Sequence, residues 1–264
     1  GVANTVIGYQ AGDAMTDGGY NTVIGYGAGT GITSGSYNVA LGYFAGDLVT
    51  DGVRNTLIGA HAGGALTSGE SNTFLGQFAA GSSQDVDSTV IIGKNAASGG
   101  NMTTAANGTI AIGYESLNAL TSGSYNTAVG YRALTAGVTT ANNTVLGYDA
   151  MVAAAGGEES NVSIGRESLM SLNEATNSCT ADHNIAIGYR ALNENLGGCN
   201  NVAIGKATLQ RNTYGNENFA GGNNALAYNT TGAMNIGIGY DAGGNNTTGE
   251  ANVFLGPYAG QRNT

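Results

Sequence analysis

The chain has 264 residues and a formal charge of −10, from 8 Lys and Arg against 18 Asp and Glu. Gly supplies 46 residues and Asn 31, Pro occurs once, and Trp is absent. The acidic balance argues against nucleic acid as a partner, and 41% apolar residues with mean hydropathy near zero argue against disorder. Collagen is excluded because Gly follows no three-residue period. Gly and Asn disfavour a sustained helical bundle, and no apolar run approaches the roughly 18 residues of a membrane helix, so membrane insertion is not expected. The opening Gly1-Val2-Ala3-Asn4 already lies in a strand-like motif and reads as the start of an excised piece, without a signal peptide.

Asn-Thr-Val-Ile-Gly runs from Asn4 to Gly8, returns from Asn21 to Gly25, and becomes Asn-Val-Ala-Leu-Gly from Asn38 to Gly42. Further copies end at Gly59, Gly76 and Gly93. A step of 20 to Gly113 then places an insertion near residues 96–107. Asn126–Gly130 and the copy ending at Gly147 restore the period. Steps of 18 and 23 lead to Gly165 and Gly188, with a second insertion near 173–183 before Asn184. The last copies end at Gly205, Gly222, Gly239 and Gly256. Eleven of fourteen steps are 17 residues, so residues 1–264 read as a single repeat array with no room for a separate domain. Neither end carries a polar cap, and the array is expected to continue in both directions.

Four residues before the Gly, Asn stands in thirteen of fifteen copies, with Thr89 and Thr109 as the exceptions. Asn suits tight turns and can form side-chain ladders. The residues three and one before the Gly are mostly β-branched or bulky and share one strand face. Three after it comes Ala, Ser or Thr. These columns predict an all-β fold, a parallel β-roll or β-solenoid of about fifteen 17-residue coils. The column two before the Gly points to the other face and is apolar except at Ser163. With one face packed inside the coil, this second apolar face calls for another chain. Val6, Val23, Leu57, Phe74, Ile91, Val145 and Phe254 are therefore the expected oligomer interface.

The strings Asn201-Val-Ala-Ile-Gly205, Asn184-Ile-Ala-Ile-Gly188 and Asn126-Thr-Ala-Val-Gly130 resemble the head repeats of YadA-like trimeric autotransporter adhesins. The longer unit Asn126-Thr-Ala-Val-Gly-Tyr-Arg-Ala-Leu134 is similar to repeats of phage tail-fibre and bacterial surface-fibre proteins. The resemblance implies left-handed β-rolls wound as a homotrimer, an extracellular setting on a cell surface or virion, and an adhesive or spacer role. The 17-residue period is longer than the usual head repeat, and no coiled-coil stalk or chaperone domain accompanies the array.

Tyr follows the repeat Gly in eight copies, among them Tyr9, Tyr26 and Tyr43, a column able either to stack on sugars of a glycan receptor or to form an interface ladder. The pairs Asp13/Asp17 and Asp47/Asp51 match no Ca²⁺ loop and read as solvated turn carboxylates. His61 and His183 lack a second ligand at metal spacing. Gly237-Ile-Gly239-Tyr-Asp-Ala242 mimics a dinucleotide fingerprint, but no helix is predicted after it. No metal, no cofactor and no enzymatic activity are expected. Cys179 and Cys199 form a candidate disulfide pinning the second insertion to the next coil, worth ~3 kcal/mol for a loop of about 20 residues. The leading expectation is a shaft segment of a homotrimeric fibre that spaces or presents a receptor-binding tip, touching itself and a cell-surface glycan or protein receptor. An ice-binding solenoid using the rows Thr5, Thr22, Thr56, Thr73 and Thr16, Thr33, Thr50, Thr67 is the alternative. A subunit of an extracellular filament is the further one.

Overall fold

A computed structural model describes residues 1–154, 156–172 and 181–261. The protein is an all-β parallel solenoid in which each coil contributes one three-residue strand. It divides into two compact units, Gly1–Val129 and Gly130–Thr264. The first holds β1 (Thr5–Ile7), β2 (Thr22–Ile24), β3 (Val39–Leu41), β4 (Thr56–Ile58), β5 (Thr73–Leu75), β6 (Val90–Ile92), β7 (Ile110–Ile112) and β8 (Thr127–Val129). The second holds β9 (Thr144–Leu146), β10 (Val162–Ile164), β11 (Ile185–Ile187), β12 (Val202–Ile204), β13 (Phe219–Gly221), β14 (Ile236–Ile238) and β15 (Val253–Leu255). Within each unit consecutive strands pair in parallel, with equivalent residues opposite one another, as in Thr5↔Thr22 and Val202↔Phe219. The helical structure among the described residues is one 3₁₀ turn, Thr104–Ala106, and no helix there is long and apolar enough to cross a membrane.

Counting each coil from its Asn as position 1, the repeat Gly occupies position 5, and positions 7, 9 and 17 are corners. At the corners φ is positive even for large side chains, as at Tyr37 (61°), Phe44 (48°) and Leu134 (53°). Left-handed backbone is uncommon for such residues. It is held here because corner N–H groups bond the adjacent coil: Tyr37 donates to the Gly19 carbonyl at 3.0 Å and Phe44 to that of Tyr26 at 2.9 Å. The first insertion keeps to the same plan. Met102 and Ala106 are buried, and Thr103 caps the 3₁₀ turn by accepting the Ala105 N–H.

The core lies between positions 1, 3, 8, 9 and 12. Val23, Leu57, Phe74, Ile91, Val145 and Phe254, expected at an oligomer interface, are instead buried inside their own chain. Val6 lies on the same inward column and is 42% exposed because β1 is covered by β2 alone. This reverses the expected faces, and the Asn column explains it. Positions 1 and 3 share one strand face, and an Asn side chain needs partners. Those partners are inside: Asn38 Nδ2 donates to the Gly52 carbonyl at 2.7 Å, while its Oδ1 accepts the Asn55 N–H at 2.9 Å. Where Asn points, position 3 must follow. The outward face consequently carries positions 2 and 4.

Inward volumes are traded between positions 9 and 3. Four coils with Gly or Ala at position 9 (Gly29, Gly63, Ala80, Ala97) have Val23, Leu57, Phe74 and Ile91 at position 3. Coils with Leu there (Leu117, Leu134, Leu192, Leu209, Leu226) have only Ala. Ala40 with Gly46 and Gly237 with Gly243 are small at both positions and are filled from the adjacent coils, the first by Leu57 and the second by Leu226 and Phe254. Added apolar volume is therefore absorbed inside a coil of constant length. The single polar residue of the column, Ser163, is matched by Ser168 at position 8, with hydroxyls 2.7 Å apart. A Cβ on Gly237 would lie 2.8 Å from Leu226 Cγ, so Gly237→Val is expected to overpack and cost about 1–3 kcal/mol. In the Leu226→Ala/Gly237→Val double variant, chemical denaturation is expected to show a smaller loss than the sum of the single losses. Strict additivity would refute the volume exchange.

Candidate interaction surface

The outward face carries Thr, Val, Ile, Leu, one Phe and one Gly at positions 2 and 4, with no charged residue in either column. Leu41, Leu75, Leu146, Ile204 and Ile238 are among its exposed members. Beside this strip run the position-6 Tyr side chains. Tyr26 is stacked on Tyr9 at 5.2 Å and on Tyr43 at 5.5 Å, and Tyr131 on Tyr148 at 5.2 Å. The rings of Tyr9, Tyr26 and Tyr43 thus turn their faces along the stack, and a sugar approaching from the side meets edges and hydroxyls. Of the two arrangements open to this column, these three residues form the stacked ladder, and both faces of the Tyr26 ring are covered. His61 is likewise a stacking member, between Phe44 at 5.8 Å and Phe78 at 5.0 Å.

In the second unit, arginine enters the aromatic column. The Arg166 guanidinium lies 5.6 Å from the ring centroids of both Tyr148 and Tyr189, and Arg190 lies 5.2 Å from Tyr189. Glu167 ties the two arginines together, accepting from Arg190 Nε at 2.6 Å and Arg166 Nε at 2.9 Å. The Arg190 bond, reinforced by Arg166, holds the Glu167 carboxyl below its ordinary value of 4.5. A lowered carboxylate value stabilises the fold above the unfolded-state value, and that contribution is lost as pH falls through the folded-state value. Thermal melts between pH 6 and pH 3 are therefore expected to show wild type losing stability more steeply on acidification than Glu167→Gln. Parallel acid limbs would refute the contribution.

Other side chains singled out in the sequence do not converge. Asp51 accepts from the adjacent Thr50 hydroxyl at 3.1 Å. Burial raises the Asp47 carboxyl, an effect partly offset by its backbone hydrogen bond and by His61. Among the described residues no group of three or more His, Cys, Asp and Glu could hold a metal ion. Gly237–Ala242 lies in and after β14 with no helix following. Cys199 is buried and disulfide-bonded; Cys179, and with it most of the second insertion, lies outside the described residues. The position-13 threonines donate their hydroxyls along the stack, Thr33 to the Thr50 carbonyl at 3.1 Å and Thr230 to that of Thr247 at 2.9 Å.

A second Asn ladder escaped the sequence reading. Asn195, Asn212, Asn229 and Asn246 stand at position 12, where the first unit has Ile32, Val49 and Leu66. Asn212 Nδ2 donates to Asn195 Oδ1 at 3.1 Å and to the Gly215 carbonyl at 2.8 Å, and Asn229 repeats the pattern. Its signal was available as four Asn at 17-residue spacing.

The coil geometry and its ladders define a β-solenoid repeat protein. Compared with family models, curated proteins and solved structures, the chain matches none.

Proposed function

We propose that the chain is a shaft segment of an extracellular homotrimeric fibre, spacing or presenting a receptor-binding tip. The uncharged outward strip carries this reading. In the first unit sixteen outward side chains line this strip without a charge, Leu41 and Leu75 among them 40% and 43% exposed, a contiguous and mainly apolar surface of the kind a partner chain covers. A flat face repeating every ~4.8 Å is best matched by a surface of the same period, which a second copy of the chain supplies. Strands buried on both faces are the usual state of parallel sheets. The resemblance of the Asn-x-x-Ile-Gly repeats to trimeric fibre proteins supplies the number three and the extracellular setting.

Light scattering over a micromolar dilution series is expected to give a mass near three times 26.3 kDa. Leu75→Asp, an outward substitution in β5, is expected to shift that mass to the monomer while leaving the circular dichroism spectrum intact. A monomeric wild-type chain would overturn the proposal. Thr22, Thr56 and Thr73 lie on the same outward face, so that result would favour an ice-binding role, to be read directly from ice-growth morphology.

A further inference from the structure

The outward columns break their pattern in a single strand. Position 2 carries Thr, Val or Ile in every strand but β13, where it is Phe219. Position 4 carries Ile, Leu or Val in every strand but β13, where it is Gly221. The largest and the smallest side chains of the outward face thus stand two residues apart on one rung. Phe219 is 42% exposed. A Cβ on Gly221 would meet nothing within 4 Å, so the Phe219 ring does not fill that space in its own chain. The neighbours of Gly221 in register are Ile204 and Ile238, 45% and 43% exposed, which stand on either side of the gap. Gly237, the other Gly within a strand, behaves oppositely, because Leu226 of the previous coil occupies its place. Gly221 also keeps an ordinary strand backbone without positive φ. Its smallness serves no need of the monomer.

Resting on the fibre reading above, we propose that Phe219 of one copy seats in the gap over Gly221 of the adjacent copy, between Ile204 and Ile238. This makes β13 a register lock between identical chains. Symmetry supplies the reason that knob and hole share a rung. Chains related by pure rotation about an axis parallel to their stacks bring every rung level with its own copy, with position 2 of one chain meeting position 4 of the next. A rung that swells at position 2 then has to recede at position 4. Elsewhere the strip is nearly uniform, so a slip by one coil would exchange similar contacts at little cost. At β13 the same slip drives Phe219 against an Ile and leaves the gap empty, which penalises every register but one.

The test uses the full chain and three variants, Gly221→Ile, Phe219→Val and the double Phe219→Val/Gly221→Ile, which restores the ordinary outward pattern. Oligomer dissociation is followed by light scattering on dilution, with circular dichroism confirming the coil fold of each. Gly221→Ile is expected to raise the dissociation constant by at least about tenfold, as is Phe219→Val. The double variant is expected to recover most of the Gly221→Ile loss. A wild-type oligomer that Gly221→Ile leaves unchanged, or a loss that Phe219→Val does not relieve, overturns the lock and leaves the fibre reading standing. A monomeric wild type overturns both.

Discussion

Gly25→Ala is expected to destabilise the first unit by about 2–6 kcal/mol, although it adds one methyl group. Gly25 holds φ at +140°, a region nearly closed to other residues, at a strain of about 1–3 kcal/mol. The new Cβ would also lie 2.4 Å from the Gly42 carbonyl oxygen. That oxygen is backbone, so relief requires two coils to separate, adding roughly the 1–3 kcal/mol of an overpacked core. The same approach recurs up the stack, from Gly42 to the Gly59 oxygen at 2.7 Å and from Gly188 to that of Gly205 at 2.4 Å. Close coil spacing is thus the physical reason for a Gly at the end of every strand motif. Urea denaturation of Gly25→Ala against Gly221→Ala separates this from a generic effect. Made in the Phe219→Val background, where no ring seats over Gly221, the second substitution meets open space in ordinary strand geometry and is expected to stay within about 0.5 kcal/mol of its parent. Equal losses from the two substitutions would refute the steric account.

Asn201→Asp changes one amide to a carboxylate and is expected to cost about 4 kcal/mol or more at neutral pH. Asn201 is fully buried, with Nδ2 donating to Asn184 Oδ1 at 3.1 Å and to the Gly215 carbonyl at 2.8 Å. Its Oδ1 accepts the Asn218 N–H at 3.0 Å. A carboxylate would place an oxygen against two acceptors and bring a charge into the core, two penalties that add. Protonation removes the charge and restores one donor, so the Asp variant is expected to regain stability as pH falls from 7 to 4. Asn201→Leu, of similar size, loses the bonds without the charge; its expected cost is about 1–3 kcal/mol with no such recovery. Denaturation of both variants at the two pH values decides the matter. An Asp variant insensitive to pH would mean that water reaches the ladder.

Much of this architecture is legible in the chain because a 17-residue period leaves few choices. The Asn-to-Gly motif fixed both the strands and their one-to-one register, as in Val39↔Thr56. The assignment of faces was read wrongly, for a physical reason. Bulky β-branched residues usually mark the buried side of a strand, but here they lie outward, and the inward column ranges from Gly237 to Phe254. Within so thin a coil, position 3 varies against position 9 in most coils and against the side chains of adjacent coils in others, as Gly237 does against Leu226, a correlation invisible to a reading that takes one column at a time. The Asn column already held the answer, since an amide repeated on thirteen rungs needs partners that only the interior supplies. For the Tyr column the sequence allowed a stacked ladder and a sugar-stacking face alike, and did not decide between them. Rotamer choice at Tyr26 depends on the rings of Tyr9 and Tyr43 above and below it, which no single repeat encodes.

The coil-to-coil hydrogen bonds also dictate a mechanical behaviour. Strand and corner N–H groups reach the neighbouring coil, as Thr22 does to the Asn38 carbonyl at 2.8 Å and Gly25 to that of Ile7 at 2.8 Å. Tension along the stack passes in series through every coil-to-coil interface, and a terminal coil, held by a neighbour on one side alone, is the one that peels, a few bonds at a time. Each yielding coil converts a rise of about 4.8 Å into some 60 Å of extended chain. Under load the array lengthens roughly twelvefold, one coil after another, at a force set by a single coil, and so dissipates work that a shear-loaded sheet would store until it ruptured.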